Sequence, residues 1–342
     1  MFELWYGIVA LMFTAYVVLD GYDLGAGALH LLVARDDAER RAVISAIGPF
    51  WDANEVWLLA AGGALFVAFP DALAAGLSGF YLAIFLVLWC LIGRAIGLEF
   101  RSHVGEPLWR GFWDVVFCAT SALLPVLFGA ALGNLIRGVP LTADGWFQLA
   151  LFTDFSATPP VGILDWYTVL SGVFALVALV AHGATFLAWR TAGGVQARSA
   201  RLVPRLYTVV AALWPVTTVA TMTVRPEFLA ALPARPLAWI GVALALGGLV
   251  TVFAGHLRRR MLAAFLGSCA FLAGMLGATA ACLFPLILPA VAGSGPAITA
   301  YDGGGTESGL RTALGWWSVG FPIVLGYFAL LFRLHRKPGG TT

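Results

Sequence analysis

Long apolar stretches recur along the chain, and short polar segments separate them. Each has about twenty residues or more, which at 1.5 Å per residue lets a helix cross the hydrocarbon core of a membrane. This pattern predicts an all-α integral membrane protein in which residues 1–342 form a single polytopic membrane domain. The nine predicted spans are 4–32, 47–69, 73–98, 112–136, 160–189, 206–224, 236–255, 261–288 and 313–334.

The composition agrees with the pattern. Of the 342 residues, 61% are hydrophobic and only 11% are charged, whereas a soluble globular protein has about 25% charged residues. This composition excludes a soluble enzyme, a disordered chain and a nucleic-acid-binding protein, so we expect no nucleic-acid partner. The first residues lack a basic region and a small-residue cleavage site, so we expect a retained first helix and not a signal peptide.

The basic residues of the loops predict the direction of the chain, because membrane proteins concentrate Lys and Arg in cytoplasmic loops. With the N-terminus outside, fifteen of the 20 basic residues fall on the cytoplasmic side and four on the outer side. We therefore predict an outer N-terminus and a cytoplasmic C-terminus. The fifteen are Arg35, Arg40, Arg41, Arg101, Arg110, Arg190, Arg198, Arg201, Arg205, Arg258, Arg259, Arg260, Arg333, Arg336 and Lys337; the four are Arg137, Arg225, Arg235 and Arg311.

Seven charged residues lie within the first four predicted spans or directly at their cytoplasmic ends. The first span carries Asp20 and Asp23 late in its course, three residues apart and hence on one helix face. Because the next three spans leave and enter at the same side, the topology predicts all seven at one level near the cytoplasmic surface. The other five are Asp52, Glu55, Arg94, Glu99 and Asp114, and Asn54 lies beside the acids of the second span.

Two interpretations of this cluster remain open. A charge at the bilayer centre costs at least about 2.5 kcal/mol, so the clustered acids favour a proton-conducting or ion-coordinating site whose members share protons. The plainer interpretation is that some of them cap helices or reach the interface, which suits Asp114 at a helix N-terminus and Glu99 in a loop. It suits Asp20, Asp23 and Asp52 less well, because more apolar sequence separates them from the loops.

Glycines accompany the acidic residues. Gly21, Gly25 and Gly27 lie in the first span, and Gly62 and Gly63 lie in the second. Small residues let membrane helices approach closely. We therefore expect tight helix packing around the polar site, although simple packing glycines would give the same sequence.

The cysteines and histidines do not indicate a metal or haem site in this chain. The four cysteines lie far apart without a C-x-x-C motif, so a disulfide framework, a zinc site and an iron–sulfur site are unsupported. A membrane haem protein needs axial His or Met ligands within its spans, and only His182 lies well inside apolar sequence. We expect His182 to be a hydrogen-bonded core residue, with no haem and no firm metal site in this chain.

Several longer motifs occur together. They are Asp20-Gly-Tyr-Asp23-Leu-Gly-Ala-Gly, Gly48-Pro-Phe-Trp-Asp52-Ala-Asn54-Glu-Val-Trp57, Ser78-Gly-Phe-Tyr81-Leu-Ala, Trp109-Arg-Gly-Phe-Trp-Asp114 and Gly129-Ala-Ala-Leu-Gly-Asn134. The chain resembles subunit II of the cytochrome bd quinol oxidases in these motifs, most strongly over residues 1–140 and more weakly after residue 190. One motif alone would not be specific, but the set is.

The resemblance implies a subunit of a respiratory quinol oxidase, which oxidises membrane quinol and reduces dioxygen to water in the bacterial cytoplasmic (inner) membrane. It implies nine transmembrane helices, arranged as two four-helix bundles plus a peripheral helix. The haem b and haem d cofactors would lie in the partner, subunit I, and this chain would ligate neither. Membrane lipid and quinol are further expected partners. A small single-helix accessory subunit and a bound structural quinone stay open.

The resemblance also implies roles for the charged residues of the first two spans. Asp52 matches the aspartate of a proton path from the cytoplasm. Asp20 and Asp23 match paired acids that we expect at the entry of this path. Asn54 and Glu55 would orient its hydrogen bonds, so these five residues are the expected catalytic set.

Asp23, Arg94 and Asp114 match a possible ion or salt-bridge site of the family. Two positions depart from the family pattern: Ala53 replaces a usual glycine, and the outer stretch from Tyr301 continues Asp-Gly-Gly-Gly. Two alternative functions also fit the acid cluster. One is a proton-coupled transporter, which predicts an internal repeat; the other is a purely structural partner subunit whose acids form salt bridges between subunits.

Overall fold

The computed structural model describes residues 1–335. This part of the chain is mainly helical, with one short antiparallel hairpin between the last two long helices, where β1 (Leu286–Leu288) pairs with β2 (Ile298–Thr299). The helices are α1 (Phe2–Val33), α2 (Asp37–Ile47), α3 (Trp51–Ala68), α4 (Pro70–Gly79), α5 (Tyr81–Phe100), α6 (Pro107–Arg137), α7 (Trp166–Arg190), α8 (Gly193–Val224), α9 (Pro226–Ala230), α10 (Pro236–Leu257), α11 (Met261–Leu283) and α12 (Glu307–Leu334).

Eight helices of the described residues are long and apolar enough to cross a membrane. They are α1, α5, α6, α7, α8, α10, α11 and α12, and each overlaps one predicted span. The prediction of an all-α, multi-pass membrane protein is therefore confirmed. We call "inner" the end of the molecule at which α1, α5 and α7 finish, and "outer" the opposite end.

The predicted count of nine spans is not confirmed. The remaining predicted span, 47–69, corresponds to α3, which is not among the eight apolar helices. It has 18 residues, and its first two turns carry Asp52, Asn54 and Glu55, which lower its apolar character. The polar residues that mark the expected site are thus also the reason that α3 is less hydrophobic than the eight apolar helices.

Several boundaries differ from the prediction. The predicted span 206–224 begins after Pro204, but α8 begins 13 residues earlier than this span and continues through Pro204. The interval between the first two spans forms the amphipathic helix α2, capped by the side chain of Asp36. Arg336 and Lys337, which count toward the predicted cytoplasmic charge, lie outside the described residues.

Helix α1 lies at the centre of the fold and packs against α3, α6, α7 and α11. Two of its glycines make this possible. A methyl group added at Gly25 would collide with the backbone of Leu179 and Gly183 in α7, and one added at Gly27 would collide with Ser121 in α6. The expected close packing is confirmed in α1, but not in α3, where Gly62 and Gly63 face open space.

Helix α12 is peripheral. None of the residues in its apolar window is buried, and it contacts the rest of the chain at both ends and through Phe321 and Phe328, which lie against Trp57 of α3. At the outer end, the indole of Trp5 donates a hydrogen bond to the carbonyl of Leu310 at 3.1 Å. At the inner end, Phe332 stacks on Phe50 with ring centroids 4.8 Å apart.

Candidate functional site: a buried carboxylate cluster

A buried ion triad joins α1, α3 and α5. The guanidinium of Arg94 donates to Asp20 at 2.7 Å and to Glu55 at 3.2 Å. The side chains of Arg94 and Asp20 are 1% and 0% exposed, whereas Glu55 is 22% exposed. Glu55 is thus the member of the triad that reaches the surface of the chain.

A second group of polar side chains lies directly beside the triad. The amide nitrogen of Asn54 lies 2.8 Å from Asp23, 2.7 Å from the hydroxyl of Tyr22 and 3.1 Å from the carbonyl of Leu19. Asp23, Asn54 and Tyr22 are all buried. We call the two groups together the carboxylate cluster, with the members Asp20, Asp23, Asn54, Glu55 and Arg94.

The carboxylate cluster is incompletely hydrogen-bonded. One carboxylate oxygen each of Asp20 and Asp23, the amide oxygen of Asn54 and the Nε of Arg94 are buried without a partner in the protein. A buried polar atom left unsatisfied costs about 1–3 kcal/mol. The free atoms are mostly acceptors, so the cluster can bind water or additional protons.

Asp52 is not part of the cluster. It is exposed at the start of α3, and its side chain makes no hydrogen bond or ion pair with the described residues. Successive residues of a helix are about 100° apart, so Asp52 and Asn54 point to nearly opposite sides. Since Asn54 faces α1, Asp52 points away from α1 toward the surface of the chain. Glu99 is likewise exposed at the end of α5.

A second charged network lies at the inner end of the molecule. The buried carboxylate of Asp114 accepts hydrogen bonds from His30 at 2.6 Å and from Arg40 at 3.0 Å, and it also pairs with Arg101. Arg101 in turn donates to Asp37 on α2 at 2.7 Å. We call these residues the inner-end network.

This network corrects the expectation of one site formed by Asp23, Arg94 and Asp114. The partners of Arg94 are Asp20 and Glu55, and those of Asp114 lie at the inner end. His30 is ten residues after Asp20 on α1, which corresponds to about 15 Å along the helix. The charged residues therefore form two separate clusters instead of one level.

The pKa values of two partly exposed acids on α2 follow from their arginine partners. The hydrogen bond from Arg101 lowers the pKa of Asp37 below its usual value of 3.8. The hydrogen bond from Arg198 lowers the pKa of Glu39 below its usual value of 4.5. Both acids are therefore ionised at neutral pH, and they tie α2 to α5 and α8.

The sequence interpretation missed a buried ion pair at the outer end. Arg137, the last residue of α6, pairs with Asp165 and donates to the amide oxygen of Asn134 at 2.7 Å. Asp165 also caps α7, accepting from the backbone of Tyr167 and Thr168 at 2.8 Å. We call Asn134, Arg137 and Asp165 the outer tie. An Asp three residues before Thr at a helix start is a capping signal, so the sequence does mark Asp165.

His182 is a hydrogen-bonded core residue, as predicted. One ring nitrogen lies 2.6 Å from the hydroxyl of Ser268 on α11, and the other donates to the carbonyl of Val18 on α1 at 2.9 Å. All three helices α1, α7 and α11 thus meet at this side chain. Both ring nitrogens are engaged, so His182 does not offer a free ligand.

An apolar cavity of about 350 Å³ lies between α1, α6, α7, α8 and α11. Aromatic and aliphatic side chains line it, among them Phe128, Phe174, Trp214 and Leu272. Tyr16 also lines it, one helical turn from Asp20 of the carboxylate cluster. The cavity has the size and polarity to hold a hydrocarbon chain.

Comparisons with known proteins agree with this arrangement. The family model described as cytochrome bd terminal oxidase subunit II matches residues 1–335. A probable cytochrome oxidase subunit 2 from Haemophilus influenzae is 31% identical over 95% of this chain and 91% of that protein. Cytochrome bd-I ubiquinol oxidase subunit 2 from Escherichia coli K12 is 39% identical over 57% of this chain. The alignment spans about half the length of that relative, 50%.

The fold has a counterpart among solved structures. A chain of the bd oxidase from Geobacillus thermodenitrificans matches 97% of this chain and 98% of its own length, with a TM-score of 0.72. The identity is 19%, so this likeness concerns the fold alone. Taken with the match of the family model over almost the whole sequence, these findings establish that the chain belongs to the family of cytochrome bd terminal oxidase subunit II.

Proposed function

We propose that this chain is the haem-free subunit of a quinol:oxygen oxidoreductase, which oxidises membrane quinol and reduces dioxygen to water. Its role is to support a haem-bearing subunit I and to deliver protons to the site of oxygen reduction. The observation that carries the proposal is the carboxylate cluster, in which one buried carboxylate oxygen each of Asp20 and Asp23 lacks a protein partner. A purely structural ion pair would be expected to have its polar atoms satisfied.

The charge of the triad suits proton transfer. Asp20 and Glu55 share the single guanidinium of Arg94, so with both acids ionised the triad carries one net negative charge. A proton that arrives on either acid neutralises this charge and leaves the other acid paired with Arg94. A low-dielectric environment favours this neutral state of the triad, and the proton is shared between Asp20 and Glu55.

The proposed path runs along one side of α3. Asp52 collects protons at the exposed start of the helix, and Glu55 lies three residues further on the same helix. Glu55 passes the proton to Asp20 through the shared pairing with Arg94. Asn54 holds Asp23 as the neighbouring acceptor. The path needs water to connect Asp52 with Glu55, since they make no direct hydrogen bond.

The haem b and haem d cofactors of the complex are assigned to subunit I. Haem supplies the electron transfer and the oxygen chemistry, and it needs an axial ligand such as His. The two fully buried histidines do not fit that role: His182 bonds through both ring nitrogens, and His30 bonds to Asp114. This chain therefore contributes protons and packing, and no haem ligand.

In the membrane, we propose that α3 crosses as the ninth span. Asn54 and Glu55 face α1 and α5, while Val56, Leu59 and Phe66 on other sides are 53%, 73% and 64% exposed, as expected for a surface covered by lipid or by subunit I. One four-helix bundle then contains α1, α3, α5 and α6, the other contains α7, α8, α10 and α11, and α12 is peripheral. The N-terminus lies outside the bacterial cytoplasmic membrane, and the C-terminus lies in the cytoplasm.

The apolar cavity is the proposed place of a structural quinone. Its 350 Å³ and its apolar lining suit an isoprenoid tail. A small single-helix accessory subunit stays a prediction from the resemblance. The match to the oxidase family favours the oxidase function over the transporter alternative.

The test uses the assembled complex and compares oxygen uptake per haem. We expect D52N and D20N to slow quinol-driven uptake at least about tenfold, because general acid–base steps commonly contribute 10²–10⁴-fold. The matched control is E99Q, which removes an exposed acid near the inner end and should leave uptake unchanged. If both aspartate variants lower only the yield of the complex, the structural alternative is correct.

A further inference from the structure

The inner face of the molecule has two electrostatically different halves. In the first half, arginines and acids alternate, and Arg40, Arg101 and Arg110 each contact an acid. In the second half the acids are missing. From residue 166 to residue 301 the sequence contains a single acidic residue, Glu227, and it lies on α9 at the outer end. The inner ends of α8, α10 and α11 are therefore purely basic.

Three consecutive arginines form the turn between α10 and α11, and we call Arg258–Arg260 the arginine turn. All three residues are exposed. Their backbone amides close the turn through bonds to α10, but their side chains have no hydrogen bond or ion pair within residues 1–335. Arg205 on α8, the helix that packs against α10, is also exposed and unpaired within that range. The side of the molecule that lacks acids thus presents free guanidinium groups.

Apolar side chains directly adjoin the arginine turn. Leu257 before it is 80% exposed, and Leu262 and Leu266 after it are 45% and 56% exposed. A soluble anion would need only the arginines. A surface that combines free guanidinium groups with exposed leucines one or two helical turns away matches a molecule with a phosphate head and hydrocarbon chains.

We propose that the arginine turn binds the phosphate of an anionic phospholipid in the adjacent membrane leaflet, with its acyl chains along the exposed leucines of α10 and α11. Arginine binds phosphate through paired N–H donors. The N-terminus of α11 begins at Met261, directly after the turn, and adds unpaired backbone N–H groups and the positive end of the helix dipole. The proposal depends on charge and exposure, so it holds whichever way the chain faces.

The experiment measures lipid binding to the assembled complex by native mass spectrometry in detergent. Phosphatidylglycerol and phosphatidylcholine are titrated separately onto the wild-type complex and onto R258Q/R259Q/R260Q. An arginine near an anionic lipid contributes about fivefold in binding, equivalent to about 1 kcal/mol. We expect the wild-type complex to prefer phosphatidylglycerol, and the triple variant to bind it at least tenfold more weakly while its binding of phosphatidylcholine is unchanged.

Two variants serve as controls. R258K/R259K/R260K keeps the charge that directs membrane insertion, so it should assemble normally and bind phosphatidylglycerol more tightly than the glutamine variant. R41Q removes one cation from the half of the inner face where Arg41 is paired with Asp37, and it should bind lipid like the wild type. If the triple glutamine variant fails to assemble, the single variant R259Q is compared with the single variant R41Q instead.

Three results would overturn the proposal. Equal binding of the two lipids by the wild type would show that the arginines do not select an anionic head group. Unchanged binding in both R259Q and the triple glutamine variant would place the lipid elsewhere or show that a partner subunit covers the turn. Competition by inorganic phosphate at the same concentration as phosphatidylglycerol would identify a site for soluble anions.

Discussion

Two buried arginine–carboxylate groups in this chain differ in how completely their atoms are paired. In the outer tie, Arg137 uses all three guanidinium nitrogens, and Asp165 accepts through both carboxylate oxygens. In the carboxylate cluster, Arg94 leaves its Nε free, and Asp20 and Asp23 each leave one oxygen free. The comparison separates a structural ion pair, which has no capacity for a further proton, from a group that retains such capacity.

Position within the helices supports the same distinction. The outer tie joins the end of α6 to the start of α7, where it also caps a helix and anchors a loop. The carboxylate cluster lies within the helices and closes neither an end nor a turn. Buried polar atoms without partners are costly, and the proposed proton path is a reason for their presence.

The largest expected effect comes from breaking the outer tie. D165N leaves the guanidinium of Arg137 buried without a counter-charge, and loss of one member of a buried pair costs about 3–5 kcal/mol. We expect a lower melting temperature and yield of the complex, with unchanged oxygen uptake per haem. The control is R311Q, which breaks the exposed pair with Glu307 and should cost less than about 1 kcal/mol. A loss of uptake per haem in D165N would contradict the distinction between the two groups.

A smaller effect is expected at His182, whose two ring nitrogens are both hydrogen-bonded. S268A removes one partner of the imidazole and should cost about 1 kcal/mol of stability, measured as a shift of the thermal midpoint. Oxygen uptake per haem should not change. S318A removes an exposed hydroxyl on α12 and serves as the control. If S268A slowed turnover at unchanged stability, His182 would belong to the functional group instead.

The smallest effect is expected for Asp37 of the inner-end network. Its pKa is lowered in the folded chain, chiefly by the hydrogen bond from Arg101, so its ionised form stabilises the fold at pH values above the unfolded pKa. This contribution is lost as the pH falls from the unfolded pKa through the lower pKa of the folded chain. The thermal midpoint of D37N should therefore lie slightly below that of the wild type at pH 7, and the difference should shrink below about pH 4. A difference that grows toward low pH would refute this assignment.

The spans could be predicted because a helix that crosses a membrane needs a long apolar stretch, and the eight clear helices each provide one. Helix α3 is the exception, since the residues that mark the site also reduce its hydropathy. The extension of α8 through Pro204 could not be predicted from hydropathy. Hydropathy identifies the apolar part of a helix, but it does not show how far the helix continues into polar sequence outside the membrane.

The site could be predicted in part. The sequence identifies Asp20, Asp23, Glu55 and Arg94 as polar residues inside spans, and the fold brings them together. It does not determine the rotation of α3 about its own axis, because this helix is apolar on several sides. That rotation directs Asn54 to α1 and Asp52 outward. Asp114 and Arg94 are likewise separated, because their partners on α1, His30 and Asp20, lie at different heights along that helix. Counting residues from the loops did not reveal this separation.

The most direct test of the proton-path proposal is proton uptake by the assembled complex in liposomes, followed with a pH-sensitive dye during quinol oxidation. The wild type and D20N are compared at equal haem content, with D165N as a variant that weakens the fold alone. We predict that D20N slows proton uptake and oxygen reduction together, at least about tenfold, while D165N retains the wild-type rates per haem. Proton uptake by D20N at the wild-type rate would contradict a path through the carboxylate cluster.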